Sequence, residues 1–237
     1  MNSEARRWTR PLLAGLVLFA SGASLAAQQD TTRPAIAVLA FENGGSYGQD
    51  RENYEGLSRG VAGLLQSQLG RNPAVRLIER SEAQRLLDEQ SLGAAGRLDR
   101  ETAARVGKLA GARYVIAGTF IDLYGDFRLY ARIIDAQTGQ ILLVARPPAS
   151  LVEIKDLDRM VQSLATQIFT QIKLPPGPAR VARNIPPQAL TMYGRALLYE
   201  DRGERARAAE YYQQAIDFFP GFSEAGEGLR RLRPGAS

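Results

Sequence analysis

Five residues, Gly44-Gly45-Ser46-Tyr47-Gly48, stand where a chain can do chemistry on phosphate, after an apolar strand pattern and before a helical one. Glycine backbones and helix N-termini bind anions in that place. No Lys-Ser or Lys-Thr pair closes the loop, and the glycine spacing is not the dinucleotide fingerprint, so it is read first as a surface connection. A nucleotide or metabolite sensor using this loop is the alternative. Glu79-Arg80 sets an acid beside a base, but a charged turn leading into a helix accounts for it. Asp122 and Asp126 flank Leu123-Tyr124-Gly125 and have the oxygen chemistry of a cation site, yet turn chemistry explains them more simply. Asp135 and Thr138 belong to a second hairpin turn in the same way.

Two absences narrow the chemistry further. The chain has no histidine and no cysteine. This removes the usual general base near neutral pH, the commonest metal ligand, and the Ser-His-Asp and Cys-His arrangements. The expectation is a protein that is not an enzyme, with no catalytic, cofactor-binding or metal-ligating residue assigned. The formal charge is +5 over 237 residues. Its basic residues are spread along the chain, whereas a phosphate-binding surface needs them clustered, so nucleic acid is not expected as a partner.

Residues 1–27 read as a cleaved secretory signal: Arg6, Arg7 and Arg10, then a short apolar run, then a small-residue stretch ending at Ala27. The expected location is the periplasm. Without cysteine the exported chain has no disulfide and no lipid-bearing cysteine, so its core must suffice alone.

The elements that carry these residues follow from periodicity. Residues 36–41 form the first strand, and residues 42–51 are read as a loop. A helix near residues 54–69 places Tyr54, Leu57, Val61, Leu64 and Leu65 on one face. A second strand runs toward Arg80. Ser81 and Gln84 then fit a capping box, Gly93 and Gly96 break the helix that follows, and Asp99 caps the next one. Phe127, Leu129, Ala131 and Ile133 alternate with Arg128, Tyr130 and Arg132, which marks a strand with one covered face. Residues 141–145 are continuously apolar, as a central strand would be. Residues 154–172 carry a helical stripe through Leu157, Met160, Val161, Leu164, Ile168 and Ile172. Residues 174–187 are rich in proline, which predicts an extended, semi-rigid linker.

Beyond the linker, Tyr199, Gly203, Ala208, Tyr212, Ala215 and Pro220 resemble the spacing of a tetratricopeptide repeat, with Met192 and Ala196 at two earlier positions. Small residues suit the close crossing of two helices, Gly203 the turn, and Pro220 the stop. A third helix is expected over residues 222–232. Such repeats hold partners on their inner helix face. By position that face holds Leu190, Tyr193, Leu197, Glu200 and Asp201, which are the candidate partner-binding residues. One repeat is too few to stand alone, so it must pack on the first domain, a sister subunit or a partner.

The order strand, helix, strand, two helices and a three-strand meander over residues 36–146, with the phrases around Ile36, Glu79-Arg80, Leu86-Leu87-Asp88-Glu89-Gln90 and residues 114–120 and 135–140, resembles the soluble domain of the curli secretion-channel family (CsgG-type). It is also similar to flagellar-envelope FlgO-type domains and the N-terminal domain of TolB. The fold class implied is α/β, a mixed sheet with an antiparallel three-strand meander and flanking helices, plus a small all-α repeat hairpin. The boundaries expected are 1–27 signal, 34–173 α/β domain, 174–187 linker and 188–233 repeat with a capping helix. The resemblance implies assembly and binding, with envelope or secretion proteins as partners, a homo-oligomer allowed, and peripheral outer-membrane association without a transmembrane barrel. Curli channels carry a lipid-bearing cysteine and membrane hairpins, and this chain departs from both. A pore-forming channel subunit is therefore a further alternative only.

Overall fold

The computed structural model describes residues 33–91 and 99–232. The expected signal segment and the glycines at 93 and 96 lie outside them. The described residues form one compact unit.

The strands are β1 (Ala35–Val38), β2 (Glu42–Asn43), β3 (Arg76–Leu77), β4 (Tyr114–Leu123), β5 (Asp126–Asp135) and β6 (Ile141–Ala145). They make one sheet in the order β3-β1-β4-β5-β6, with β2 also on β4. The pairs β1–β3, β1–β4 and β2–β4 are parallel, while β4–β5 and β5–β6 are antiparallel. β2 corrects the reading of residues 42–51 as wholly loop. It resumes the path of β1 after an interruption: Val38 faces Ile116 and Glu42 faces Thr119, so one extra residue on this side is bulged out. Opposite the bulge, Phe41 lies over Gly118, where a Cβ would meet the ring at 2.1 Å. A glycine is needed there for the ring to reach the core.

The two sheet faces are covered by different helices. On one side α1 (Arg51–Gly70) and α4 (Leu157–Gln171) bury Ile36, Val38, Ile116, Phe120, Phe127, Leu129 and Ile133. On the other, α2 (Arg80–Ser91) and α3 (Arg100–Leu109) cover Ala37, Leu39, Val115, Ala117 and Ile134. Asp50 caps α1 by accepting from the Asn53 amide at 2.7 Å, and Asp99 caps α3 through the Thr102 amide at 2.7 Å. The capping box at Ser81 does not organise α2. That helix starts at Arg80, the Ala83 amide bonds the Glu79 carbonyl, and the Gln84 side chain turns to Asp88.

β6 is an edge strand and not a central one. Its pairing skips Leu142 between Ile133 and Ile134, and Ile141 and Val144 are left 42% and 45% exposed. An apolar run fits a central strand and a poorly covered edge equally, so sequence alone does not separate them. The β4–β5 connection is a two-residue turn, Tyr124 and Gly125, both at positive φ. Asp135 accepts from the Gln137 and Thr138 amides in the next turn, where Gly139 takes φ 70°.

After α4 the chain is extended to Pro186, then forms α5 (Pro187–Asp201), α6 (Arg205–Phe218) and α7 (Ser223–Leu232). Pro187 at the first position of α5 lacks only an amide that would be unpaired there. These helices do not stand apart from the sheet. Their buried residues and those of α1 and α4 share one apolar core. The C-terminal helices thus bury their apolar faces on α1 and α4 of the same chain.

Candidate interaction cleft

The glycine loop is spent on the fold. The Gly44 amide donates to Phe120 O and the Tyr47 amide to Asp122 O, while the Gly45 and Ser46 amides both donate to Asn43 Oδ1. Four amides that a phosphate would need are already committed. Asp122 is buried, accepting from Gln49 and the Gly125 amide, and Asp126 pairs with Arg128, so neither is arranged as a cation site. Among the described residues no cluster of acidic side chains could hold a metal ion.

The features that gather charged side chains lie elsewhere, where α5 and α7 meet α1. Gly56, Gly60 and Gly63 recur on one face of α1. Opposite the first two is Gly194 of α5, where a Cβ would lie 2.5 Å from the Gly56 carbonyl carbon and oxygen, while Gly63 faces Tyr193 and Leu197. Backbones this close leave no room for long side chains between the axes, so polar groups are pushed to the flanks. Along one flank Tyr199 donates to Glu52 at 2.5 Å, Arg195 to Asn53 at 3.0 Å and Arg202 to Glu55 at 3.2 Å. Asp201 takes Arg59 at 2.9 Å and also pairs with Arg80, which reaches Glu200 at 3.4 Å. Burial works against the Arg80 charge, but Asp201 and Glu200 outweigh it and raise its pKa above the usual guanidinium value.

The proline-rich segment is a strap and not a free linker. Asp158 of α4, 1% exposed in its side chain, accepts from Arg180 at 2.8 and 2.5 Å and from the Arg183 backbone amide at 2.8 Å. Arg183 also clamps Glu224 of α7 through two bonds of 2.8 Å. Asn72 of the sheet body donates to Pro175 O at 2.8 Å, and Ile185 is buried. Burial alone would push the Asp158 and Glu224 carboxyls up. The arginine hydrogen bonds outweigh it and hold both below the usual carboxylate range.

Between these attachments lies a cavity of about 660 Å³. Gly63, Gln66, Ser67 and Gly70 of α1 line it with Leu77, Glu79, Arg80 and Ser81 from the sheet body, Arg180 and Arg183 from the strap, Tyr193, Leu197 and Glu200 of α5, and Glu224, Glu227 and Arg231 of α7. Tyr193 packs against Phe222 at 4.8 Å between centroids and is 4% exposed, and burial pushes its phenol pKa up.

The five candidate partner residues therefore divide. Tyr193, Leu197 and Glu200 line the cavity. Leu190 does not; it is 1% exposed and its carbonyl lies close to Gly60. Asp201 does not either, because it is paired inside the chain with Arg59 and Arg80. The inner face of the repeat pattern is partly filled by α1, which makes these two positions internal contacts. Sequence reasoning missed Asp158, Arg183 and Glu224, and took Arg80 for a turn residue. The only local signal was Glu79-Arg80 itself.

Residues 20–125 match the model of the family described as curli production assembly/transport component CsgG. The matched segment runs to the β4–β5 turn and spans under half the chain. No curated protein matches the chain. Among solved structures it is similar to the C-terminal domain of LpoB from Salmonella enterica, at 17% identity over 51% of this chain and 84% of that one, with a TM-score of 0.37. It is similar also to TolB from Acinetobacter baumannii, at 17% identity over 61% of this chain and 29% of that one, TM-score 0.39. A third is lipoprotein GNA1162 from Neisseria meningitidis, at 16% identity over 59% and 96%, TM-score 0.34. The CsgG-like segment supplies β1 to β4 and the α1 wall of the cleft. The other wall comes from helices beyond the match.

Proposed function

We propose that this chain is a non-enzymatic adaptor of the cell envelope, acting in the periplasm, that holds partner proteins in the cleft between its CsgG-like segment and its C-terminal helices. The observation that carries the reading is the cleft itself. It is a polar cavity of about 660 Å³ walled by five arginines and four glutamates, with four of the arginines paired to carboxylates of the same chain. Such a lining suits recognition. It offers no histidine or cysteine for nucleophilic or acid–base work. The family description of the matched segment, an assembly/transport component, supports a role in building or exporting a surface structure. Helices α5 and α6 with α7 are read as one tetratricopeptide repeat and its cap. Supporting this, Ala196 and Ala208 are fully buried at the crossing, Tyr212 is fully buried, and Gly203 takes φ 77° in the turn.

The test is a photo-crosslinking side chain placed at Glu227 on the cleft rim, with the same group at the exposed Leu109 on α3 as a control. In intact envelopes a discrete adduct is expected from position 227 and not from 109. Identical patterns at both positions, or no adduct at 227, would remove the adaptor reading.

A further inference from the structure

We propose that the cleft takes a peptide segment bearing a lysine or arginine side chain, its cationic head held by Glu79 and Glu227 and one of its backbone carbonyls bonded by the Tyr193 hydroxyl. This rests on the adaptor reading and names the chemistry of its partner.

Arg80 is taken by Asp201 and Glu200, and Arg231 by Glu200 at 3.3 Å. Arg183 is taken by Glu224 and Asp158, and Arg180 by Asp158 and the Gln68 side chain. Four arginines thus share four carboxylates of the same chain, although Asp201 also takes Arg59 and the buried Arg183 Nε keeps no partner among the described residues. Three charged residues of the lining have no hydrogen-bond or ion-pair partner among the described residues: Arg71, Glu79 and Glu227. Among these three unpaired side chains the charge is negative by one. All three lie on the exposed rim, where a ligand's charged end would arrive.

The floor gives a second, independent indication. Tyr193 is 96% buried by its 4% exposure, lines the cavity, and its hydroxyl has no hydrogen-bond partner among the described residues. Burial raises the phenol pKa, so at neutral pH it is a donor as well as an acceptor. The hydroxyl is accessible from the cavity and has no acceptor among the described residues, so a ligand carbonyl can accept its hydrogen bond. A peptide bearing a basic side chain meets both demands, because its carbonyl answers the floor and its cation answers the rim. The aliphatic stem of lysine or arginine can lie along Leu77 and Leu197 while its head stays near water. An acidic side chain would instead meet two unpaired carboxylates against the single cation of Arg71.

The experiment is isothermal calorimetry on the full chain at pH 7 and low salt with two end-blocked pentapeptides, Ala-Ala-Lys-Ala-Ala and Ala-Ala-Glu-Ala-Ala. The lysine peptide should bind and the glutamate peptide should not. Glu79→Gln with Glu227→Gln should weaken the lysine peptide by about tenfold, and Tyr193→Phe by about threefold. Both glutamates are exposed, so the double variant tests binding without threatening the fold. Equal binding of both peptides, binding of neither, or unchanged affinity in the double variant would overturn the proposal. An adduct at position 227 without lysine-peptide binding sinks this proposal and leaves the adaptor reading standing. Lysine-peptide binding without an adduct would remove the adaptor reading and with it the peptide's role as a partner, leaving only the cleft's affinity for a basic side chain.

Discussion

Asp158 is the residue whose removal should cost the fold most per atom. Its carboxylate, 1% exposed, accepts five hydrogen bonds: two from Arg180, two from Arg183 and one from Gln162. Asp158→Ala strips a buried anion from two guanidiniums and leaves a backbone amide unsatisfied. Breaking a buried ion pair by deleting one partner costs about 3–5 kcal/mol. Arg183 keeps Glu224 and Arg180 keeps Gln68, and both arginines retain some solvent, so the lower end applies, about 3 kcal/mol. With a urea slope of about 2 kcal/mol per molar, the unfolding midpoint should fall by about 1.5 M. A fall below about 0.3 M would show that the strap does not hold the C-terminal helices to α4. The effect should also depend on pH with a definite sign. The folded pKa of Asp158 is depressed, so its contribution is full above the ordinary carboxylate value of about 4 and is lost as pH falls through the depressed folded value. Wild type and Asp158→Ala should converge in stability only once the pH has fallen below that depressed folded value, not at pH 4 itself. A gap that persists there would mean that packing, and not charge, explains the loss.

Gly194→Ala should destabilise by about 3 kcal/mol, because its methyl would sit 2.5 Å from the Gly56 backbone, which cannot yield without separating α5 from α1. Gly226→Ala in α7, whose Cβ meets nothing nearer than the Arg230 guanidinium at 3.6 Å, should be neutral or stabilising in the same thermal melt. A chain ending at Lys173 should lose cooperative unfolding and aggregate, since α5 shares a core with α1; a sharp transition at the wild-type temperature would make the C-terminal helices a separate body. The purified protein should give no conductance steps in planar bilayers. Its β4–β5 connection is two residues, against about 9–11 needed for each membrane strand, and uniform steps would restore the channel reading.

The alternation of Phe127, Leu129, Ala131 and Ile133 with Arg128, Tyr130 and Arg132 determined β5 and its covered face, because a strand's side chains alternate whatever surrounds them. The stripes of α1 and α4, the caps Asp50 and Asp99, and the turn at Asp135 to Gly139 are legible for the same reason: each is decided within a few residues. The position of β6 is not. Its apolar run says that it pairs, while the sheet order that leaves Ile141 and Val144 exposed is a property of all the strands together. The cleft was half legible. Repeat spacing pointed to Tyr193, Leu197 and Glu200, but periodicity states that a face is buried and not what buries it. That α1, through Gly56, Gly60 and Gly63, takes part of that face was decided by the tertiary structure. So were the pairs Arg80–Asp201, 121 residues apart, and Arg183–Glu224, 41 apart. Charges separated by so much chain carry no local mark of one another. Only when the backbones of α1 and α5 close to glycine distance are those charges brought to the flanks, where they pair and leave Glu79 and Glu227 unmatched at the rim.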